Sequence, residues 1–304
     1  MRKLFPLMLG AALVAATAAC PVRVPKSNPM PKWNEDLRET SGELGQRLND
    51  PRVVVLHVGR DRTSYDAGHI PGARFLPLSA IVAERNGIPN ELPSVQQLEE
   101  AFEAVGVSDN SRVVLYGDLQ GLLAARAFFT LDYLGHADHA ILDGGLEKWR
   151  VDERAVSTEV PAARRGSLTP RPRADLVVTA EWVRDHLNDT SVVFIDARPA
   201  AEFSGATPGD GVTRPGHIPG AHNLFWRNAL ISETDPRLRS PEVLASAYTL
   251  AEAAQADTVV VYCRTGVQAS HAYYVARYLE RKVKMYDASF IEWSRRGADF
   301  PVER

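Results

Sequence analysis

Short β-branched runs alternate with amphipathic stretches along most of this 304-residue chain. Val53–Val58, Arg112–Tyr116, Val192–Ile195 and Thr258–Tyr262 are each apolar and bounded by turn or charged residues, a pattern that predicts buried strands. Thr179 precedes Ala180–Leu187, whose Trp182, Val183 and Leu187 share one side; this predicts an N-capped helix. Gln268–Leu279 sets Ala269, Tyr273, Ala276 and Leu279 at helical spacing and predicts a second. Strands that alternate with helices predict an α/β fold with mostly parallel sheets covered by helices on both faces.

The pattern occurs twice. His69-Ile70-Pro71-Gly72-Ala73 returns as His217-Ile218-Pro219-Gly220-Ala221, and the flanks agree. Leu48-Asn49-Asp50 and Leu187-Asn188-Asp189 precede the first strand of each copy. Asp143 to Trp149 matches Asp287 to Trp293 near each end. Four landmarks in one order define a duplication, with a first domain over 32–150, a linker over 151–175 and a second domain over 176–304. The second copy carries about ten extra residues within Ser204–Arg214, a loop rich in Gly, Pro and Thr. Extra loop length in one copy points to that copy as the functional one.

The first residues change the picture. Arg2 and Lys3 precede the uncharged run Leu4–Ala19, which ends at Thr17-Ala18-Ala19-Cys20. A run so short, closed by small residues, predicts a secretory signal over 1–20 rather than a membrane span. Cys20 after two alanines resembles a bacterial lipobox, although Thr17 stands where leucine is usual. The expectation is an exported protein on the periplasmic side of the envelope, lipid-anchored through Cys20 and spaced by a proline-rich tether over 21–31. Cleavage within Ala16–Ala19 would instead release a soluble periplasmic form.

Composition narrows the partners. Apolar residues make up 45% and charged residues 24%, with a formal net charge of −3. No stretch is basic enough to track a phosphate backbone, so nucleic acid is not an expected partner. No Cys/His cluster has metal-ligand spacing and no Gly-rich phosphate loop is present, so no metal or cofactor is expected. The only cysteines are Cys20 and Cys263. In an oxidising compartment a lone Cys263 is either buried and inert or used.

The segment around it favours use. Cys263 ends a predicted strand, and Arg264-Thr265-Gly266-Val267-Gln268 turns directly into a helix. Ligands of open α/β sheets bind at that edge. Successive backbone N–H groups at a helix start stabilise an anion, and comparable settings bring a thiol pKa down to about 3.5–7.5. Arg264 adds a cation. In the first copy Gly117 and Asp118 occupy these positions, so that copy is read as a scaffold. A phosphatase on the same scaffold would need an arginine closing a longer loop, Cys-x5-Arg, where Ala269 stands. A non-catalytic docking module would have no need of Cys263 and Arg264. His69, His217, Trp149 and Trp293 are read as structural.

Over nearly the whole chain beyond the tether, the sequence resembles the tandem-domain rhodanese family, the thiosulfate and 3-mercaptopyruvate sulfurtransferases. The two HIPGA strings, the loop from Cys263 to Val267 and the Tyr286-Asp287…Phe290-x-Glu292-Trp293 ending carry the resemblance. It implies an inactive first domain and a persulfide on Cys263, loaded from a small-molecule donor such as thiosulfate and unloaded to cyanide or a thiol. It implies that Gly266, Val267 and Gln268 cradle the persulfide, and that Arg198, Arg264 and Thr265 bind the donor; the alternative for Arg198 is a structural ion pair with Glu202. Mercaptopyruvate enzymes carry Gly-Ser after the cysteine, supported by Asp and His from the first domain. Here the pair is Arg264-Thr265, and no matching Asp and His is evident around Leu76–Leu92. The reading is thiosulfate, with mercaptopyruvate and a non-enzymatic persulfide carrier as alternatives.

Overall fold

A computed structural model describes residues 32–162, 164–251 and 256–304. The predicted signal segment with Cys20, and the tether over 21–31, lie outside the described residues.

Within the first copy, β1 (Arg38–Glu39), β2 (Val53–Gly59) and β3 (Arg74–Pro77) are followed by a hairpin of β4 (Ala83–Arg85) and β5 (Ile88–Glu91). Then come β6 (Arg112–Gly117) and β7 (His139–Leu142). The five longer-range partners form one parallel sheet in the order β1-β7-β6-β2-β3. The second copy repeats it with β8 (Val192–Asp196), β9 (His222–Asn223), β10 (Thr258–Tyr262) and β11 (Val283–Met285), in the parallel order β11-β10-β8-β9. Its counterpart of β1 is reduced to a single bridge, Val177 to Met285. The strands read as unbroken apolar runs because helices cover both faces.

The helices of the first copy are α1 (Ser41–Arg47), α2 (Thr63–Asp66), α3 (Val95–Ala104), α4 (Leu122–Leu134) and α5 (Gly145–Val151). Those of the second are α6 (Ala180–Asp185), α7 (Ala200–Phe203), α8 (Pro241–Leu250), α9 (Val267–Tyr278) and α10 (Ser289–Arg295). Side chains start several of them. Thr40 with Glu43, and Ser94 with Gln97, form reciprocal capping boxes on α1 and α3. Thr179 caps α6, as its sequence position predicts, and α6 ends at Asp185, two residues earlier than the apolar pattern suggests. The reason is that His186 turns back, its Nδ1 bonding the Trp182 carbonyl while its ring stacks on Trp182.

Both HIPGA strings have the same structural job. The Ile70 N–H donates to the Tyr116 hydroxyl, and the Ile218 N–H to the Tyr262 hydroxyl, each at 3.2 Å. His69 stacks on Tyr65 and His217 on Phe203, and each histidine bridges a later segment of its copy, Ser157 and Glu303 respectively. Trp149 and Trp293 are buried and donate to the Ala155 and Pro301 carbonyls. The segment expected as a plain linker begins inside α5, which runs through Val151. It then returns along the first copy, where the Arg171 and Arg173 amides donate to the Leu134 and Tyr133 carbonyls.

Helices α4 and α9 occupy equivalent places in the two copies and pack on each other, so one apolar core runs through both. That is why both are buried nearly all round. Phe128 meets Tyr274 and Phe129 meets Tyr273, each with ring centroids 5.0 Å apart. Asp132 of α4 accepts from Arg277 Nε (2.7 Å) and the Tyr273 hydroxyl (2.9 Å) of α9. The carboxyl edge of β10 opens beside this seam.

Candidate active site at the end of the second sheet

Strand β10 delivers Cys263 to the sheet edge, and Gly266 begins α9 with φ of +86°. Only glycine suits that turn: a Cβ there would lie 2.7 Å from the Asp287 carbonyl oxygen. The Gly266 N–H donates to Cys263 Sγ at 3.1 Å. The amides of Ala269, Thr265 and Gln268 also bear on the sulfur. Val267 lies between these amides, its side chain packed against the core. The cysteine backbone is clamped from α10: Cys263 N–H donates to Ser289 Oγ, Phe290 N–H to the Cys263 carbonyl and Ile291 N–H to the Arg264 carbonyl.

The thiol differs from expectation. Cys263 is 1% exposed, and burial pushes its pKa above the ordinary thiol value. The loop amides pull downward without compensating, and the carboxylate of Asp196 adds to the rise. Arg264 does not supply the missing charge, because its guanidinium turns towards Glu202, 3.8 Å away, and remains about one-third exposed. The loop amides therefore surround a sulfur that favours its protonated form.

Arg198 requires a correction. It was expected to face a donor; it is 1% exposed and locked on Asp196. Its Nε lies 3.0 Å from both Asp196 oxygens, Nη2 lies 2.5 Å from Oδ2, and Nη2 also donates to the Gly216 carbonyl. The Phe290 ring lies beneath the guanidinium at 4.1 Å. Its charge is committed to the core, and Glu202 belongs to Arg264 instead. The longer loop of the second copy reaches this pair: a Cβ on Gly209 would meet Arg264 Cδ at 2.5 Å and Glu202 Oε2 at 2.7 Å.

The first copy contributes groups that sequence reasoning missed. The β4–β5 hairpin brings Asn90 to the loop, where its Nδ2 donates to Thr265 Oγ1 at 3.1 Å. Arg126 of α4 reaches across the seam to Asp287, with Nη1 2.6 Å from Oδ1. The Leu92 N–H donates to Asp287 Oδ2 at 2.7 Å. Nothing in the local sequence around these residues signals the contacts, since each spans 160 residues or more. The equivalent edge of the first sheet has no thiol and little room for one. A Cβ on Gly117 would lie 2.2 Å from the Val58 carbonyl oxygen. There Asp118 is tied to His57 (3.1 Å) and Ser64 (2.7 Å).

Fold and site together define a two-copy α/β protein with, among the described residues, a single thiol cradle, on the second copy. A rhodanese-like domain signature matches twice, over residues 40–152 and 179–296. The chain belongs to the rhodanese family of sulfurtransferases. It is 33% identical over 260 residues to the sulfur carrier protein TtuD of Thermus thermophilus, covering 82% of this chain and 90% of that one. It is 31% identical over 261 residues to the thiosulfate sulfurtransferase of Corynebacterium glutamicum, covering 82% and 85%. Among solved structures, the anaerobic ergothioneine biosynthesis enzyme of Chlorobium limicola, in complex with trimethyl histidine, superposes with a TM-score of 0.79. That match has 21% identity and covers 88% of this chain and 70% of the other, and it shares the fold.

Proposed function

We propose that this protein transfers the outer sulfur of thiosulfate to a thiophilic acceptor through a persulfide on Cys263. The observation that carries the reading is the amide cradle around Cys263 Sγ, with Gly266 N–H at 3.1 Å, set in a copy whose twin has glycine at the same place. Cys263 loses its proton and its sulfur attacks the outer sulfur of the donor. A sulfur–sulfur bond forms as the donor's own breaks, and sulfite leaves with the electron pair. The acceptor, cyanide or a thiol, then attacks the terminal sulfur and releases the Cys263 thiolate, so two half-reactions alternate. Because burial holds the thiol above its ordinary value, the loading step accelerates with rising pH as the thiolate fraction grows. The relatives named as thiosulfate sulfurtransferases support this donor. The relative named as a sulfur carrier favours a second reading, in which the acceptor is a protein.

Incubation with thiosulfate should add the mass of one sulfur atom to Cys263, removable by cyanide. Protein that stays unmodified with thiosulfate, or that loads only from 3-mercaptopyruvate, would refute the donor assignment.

Arg264 is proposed as the cation for the donor. Arg264→Ala should lower kcat/KM for thiosulfate about ten- to hundredfold, since one charge-assisted hydrogen bond contributes roughly 1.5–3 kcal/mol. Mercaptopyruvate carries a single carboxylate and should lose less. Equal losses with both donors would leave Arg264 a structural partner of Glu202.

The envelope location is part of the proposal, and rests on Arg2, Lys3, the run Leu4–Ala19 and Cys20. The mature protein should fractionate with membranes, and Cys20→Ser should abolish that association. Recovery of cytoplasmic protein with Met1 intact would rule out export.

A further inference from the structure

We infer that the first copy, although it holds no nucleophile, sets the reactivity of the second through Arg126, a positioning residue that fixes and neutralises Asp287 behind the Cys263 loop. The inference rests on the reading of Cys263 as the sulfur-carrying thiol. It concerns how that thiol is prepared.

The chain of contacts is continuous. Arg126 is completely buried on α4 and spends its fork on Asp287, through Nη1 to Oδ1 at 2.6 Å and Nη2 to Oδ2 at 3.3 Å. The same Nη2 donates to the Asn90 carbonyl at 2.7 Å, so it also steadies the residue that bonds Thr265. Asp287 is thus held on both oxygens by the first copy, through Arg126 and the Leu92 N–H. Two residues further on begin Ser289, Phe290 and Ile291, whose three hydrogen bonds clamp the backbone of Cys263 and Arg264. Ser289 makes its bond from φ of +60°, a conformation that needs outside support.

The arrangement is also electrostatic, and Glu91 of β5 shares it, its carboxyl pushed up to about 7 by burial and then by Asp287. A Cβ on Gly266 would lie 2.8 Å from Asp287 Oδ1 and 3.3 Å from Arg126 Nη1, so both charges sit directly under the loop. A bare carboxylate there would oppose a thiolate on Cys263; the paired guanidinium cancels it.

The duplication supplies an internal comparison. Asp143 is the counterpart of Asp287 and accepts from the Leu238 N–H as Asp287 does from Leu92. The fifth residue of α4 is Arg126, while the fifth of α9 is His271. His271 is buried, its Nδ1 has no hydrogen-bond partner among the described residues, and burial lowers its pKa to about 4. Across the seam Asp143 therefore meets a neutral ring from α9, and its cation, Arg38 at 3.4 Å, comes from its own copy. Burial pushes the Asp143 carboxyl up even though the Leu238 N–H, Arg38 and Arg237 pull it down. What distinguishes the Cys263 loop is that the cation behind it is donated by the other copy, from the fifth residue of α4.

The test is the pH dependence of Cys263 alkylation by iodoacetamide on the full chain, which reads thiolate formation without any sulfur donor. Arg126→Met should raise the midpoint by about one unit, seen as a roughly tenfold slower reaction below it. Arg126→Lys, which keeps charge and loses the fork, should fall between. Asp287→Asn should move the midpoint the opposite way, and it serves if Arg126→Met does not fold. Arg277→Met breaks the ion pair to Asp132 across the same seam, about three helical turns further along α9; it should keep the wild-type profile. A folded Arg126→Met with an unchanged profile, an upward shift in Asp287→Asn, or an equal shift in Arg277→Met would overturn the inference. Wild-type protein that takes no sulfur from thiosulfate, with these shifts intact, would overturn only the donor assignment.

Discussion

Cys263→Ser should eliminate sulfur transfer from thiosulfate to cyanide while leaving the fold and its melting temperature close to wild type. A hydroxyl fits the space of a thiol, and serine retains the backbone bonds that Cys263 makes to Ser289 and Phe290. The chemistry does not survive the exchange. Serine cannot form the sulfur–sulfur bond on which both half-reactions depend, and its oxygen holds its proton far more tightly than the buried thiol. Removal of a covalent nucleophile costs enzymes several orders of magnitude, about 10⁶-fold in kcat where measured for a hydrolase. Cys263 is the one cysteine among the described residues, so no neighbouring thiol there can substitute for it. Gly117→Cys added to this variant should not restore transfer, since the new Cβ would collide with the Val58 carbonyl. A folded Cys263→Ser protein with turnover within tenfold of wild type would exclude the persulfide mechanism. The assay for both variants is sulfite or thiocyanate release, paired with circular dichroism.

Much of this architecture was legible in the sequence because its signals are local. The four strand patterns fall within a residue of β2, β6, β8 and β10, and the two HIPGA strings mark the same tyrosine-bonded turn in each copy. The contrast of Cys263 with Gly117 singled out one sheet edge without any structure. What stayed hidden was whatever depends on the seam. Asn90, Leu92 and Arg126 act on residues of the other copy, and no periodicity records such pairs. The upward pull of burial on the thiol stayed hidden for a related reason: the loop motif announces its amides, whereas burial depends on how the whole chain packs around the sulfur. Arg198 is a different case, since its partner was in plain view. Asp196 and Arg198 are two residues apart at the end of a strand, and alternate residues of an extended chain share a face. The alternative of an ion pair for Arg198 names the right kind of contact and the wrong partner, Glu202 in place of Asp196.

Arg198→Met provides the second large effect, on stability. Asp196 is 0% exposed and Arg198 1%, so the substitution strands a carboxylate in the core. Breaking a buried pair by removing one partner costs about 3–5 kcal/mol, mostly through the uncompensated charge. That is a large fraction of the roughly 5–15 kcal/mol by which domains are stable. The melting temperature should fall on the order of 10 °C, with loss of the packing of the guanidinium on Phe290 included. Arg198→Lys should recover only part of the loss, because a single ammonium cannot reproduce the fork that meets both Asp196 oxygens and the Gly216 carbonyl. The double variant Asp196→Leu with Arg198→Met removes both charges and should be more stable than Arg198→Met alone, since no bare carboxylate remains. A donor-binding role predicts the reverse ordering of effects: melting temperature near wild type, and a rise in KM for thiosulfate. Calorimetry beside steady-state kinetics on the three variants separates the two, and an Arg198→Met protein that melts with wild type would return Arg198 to the donor.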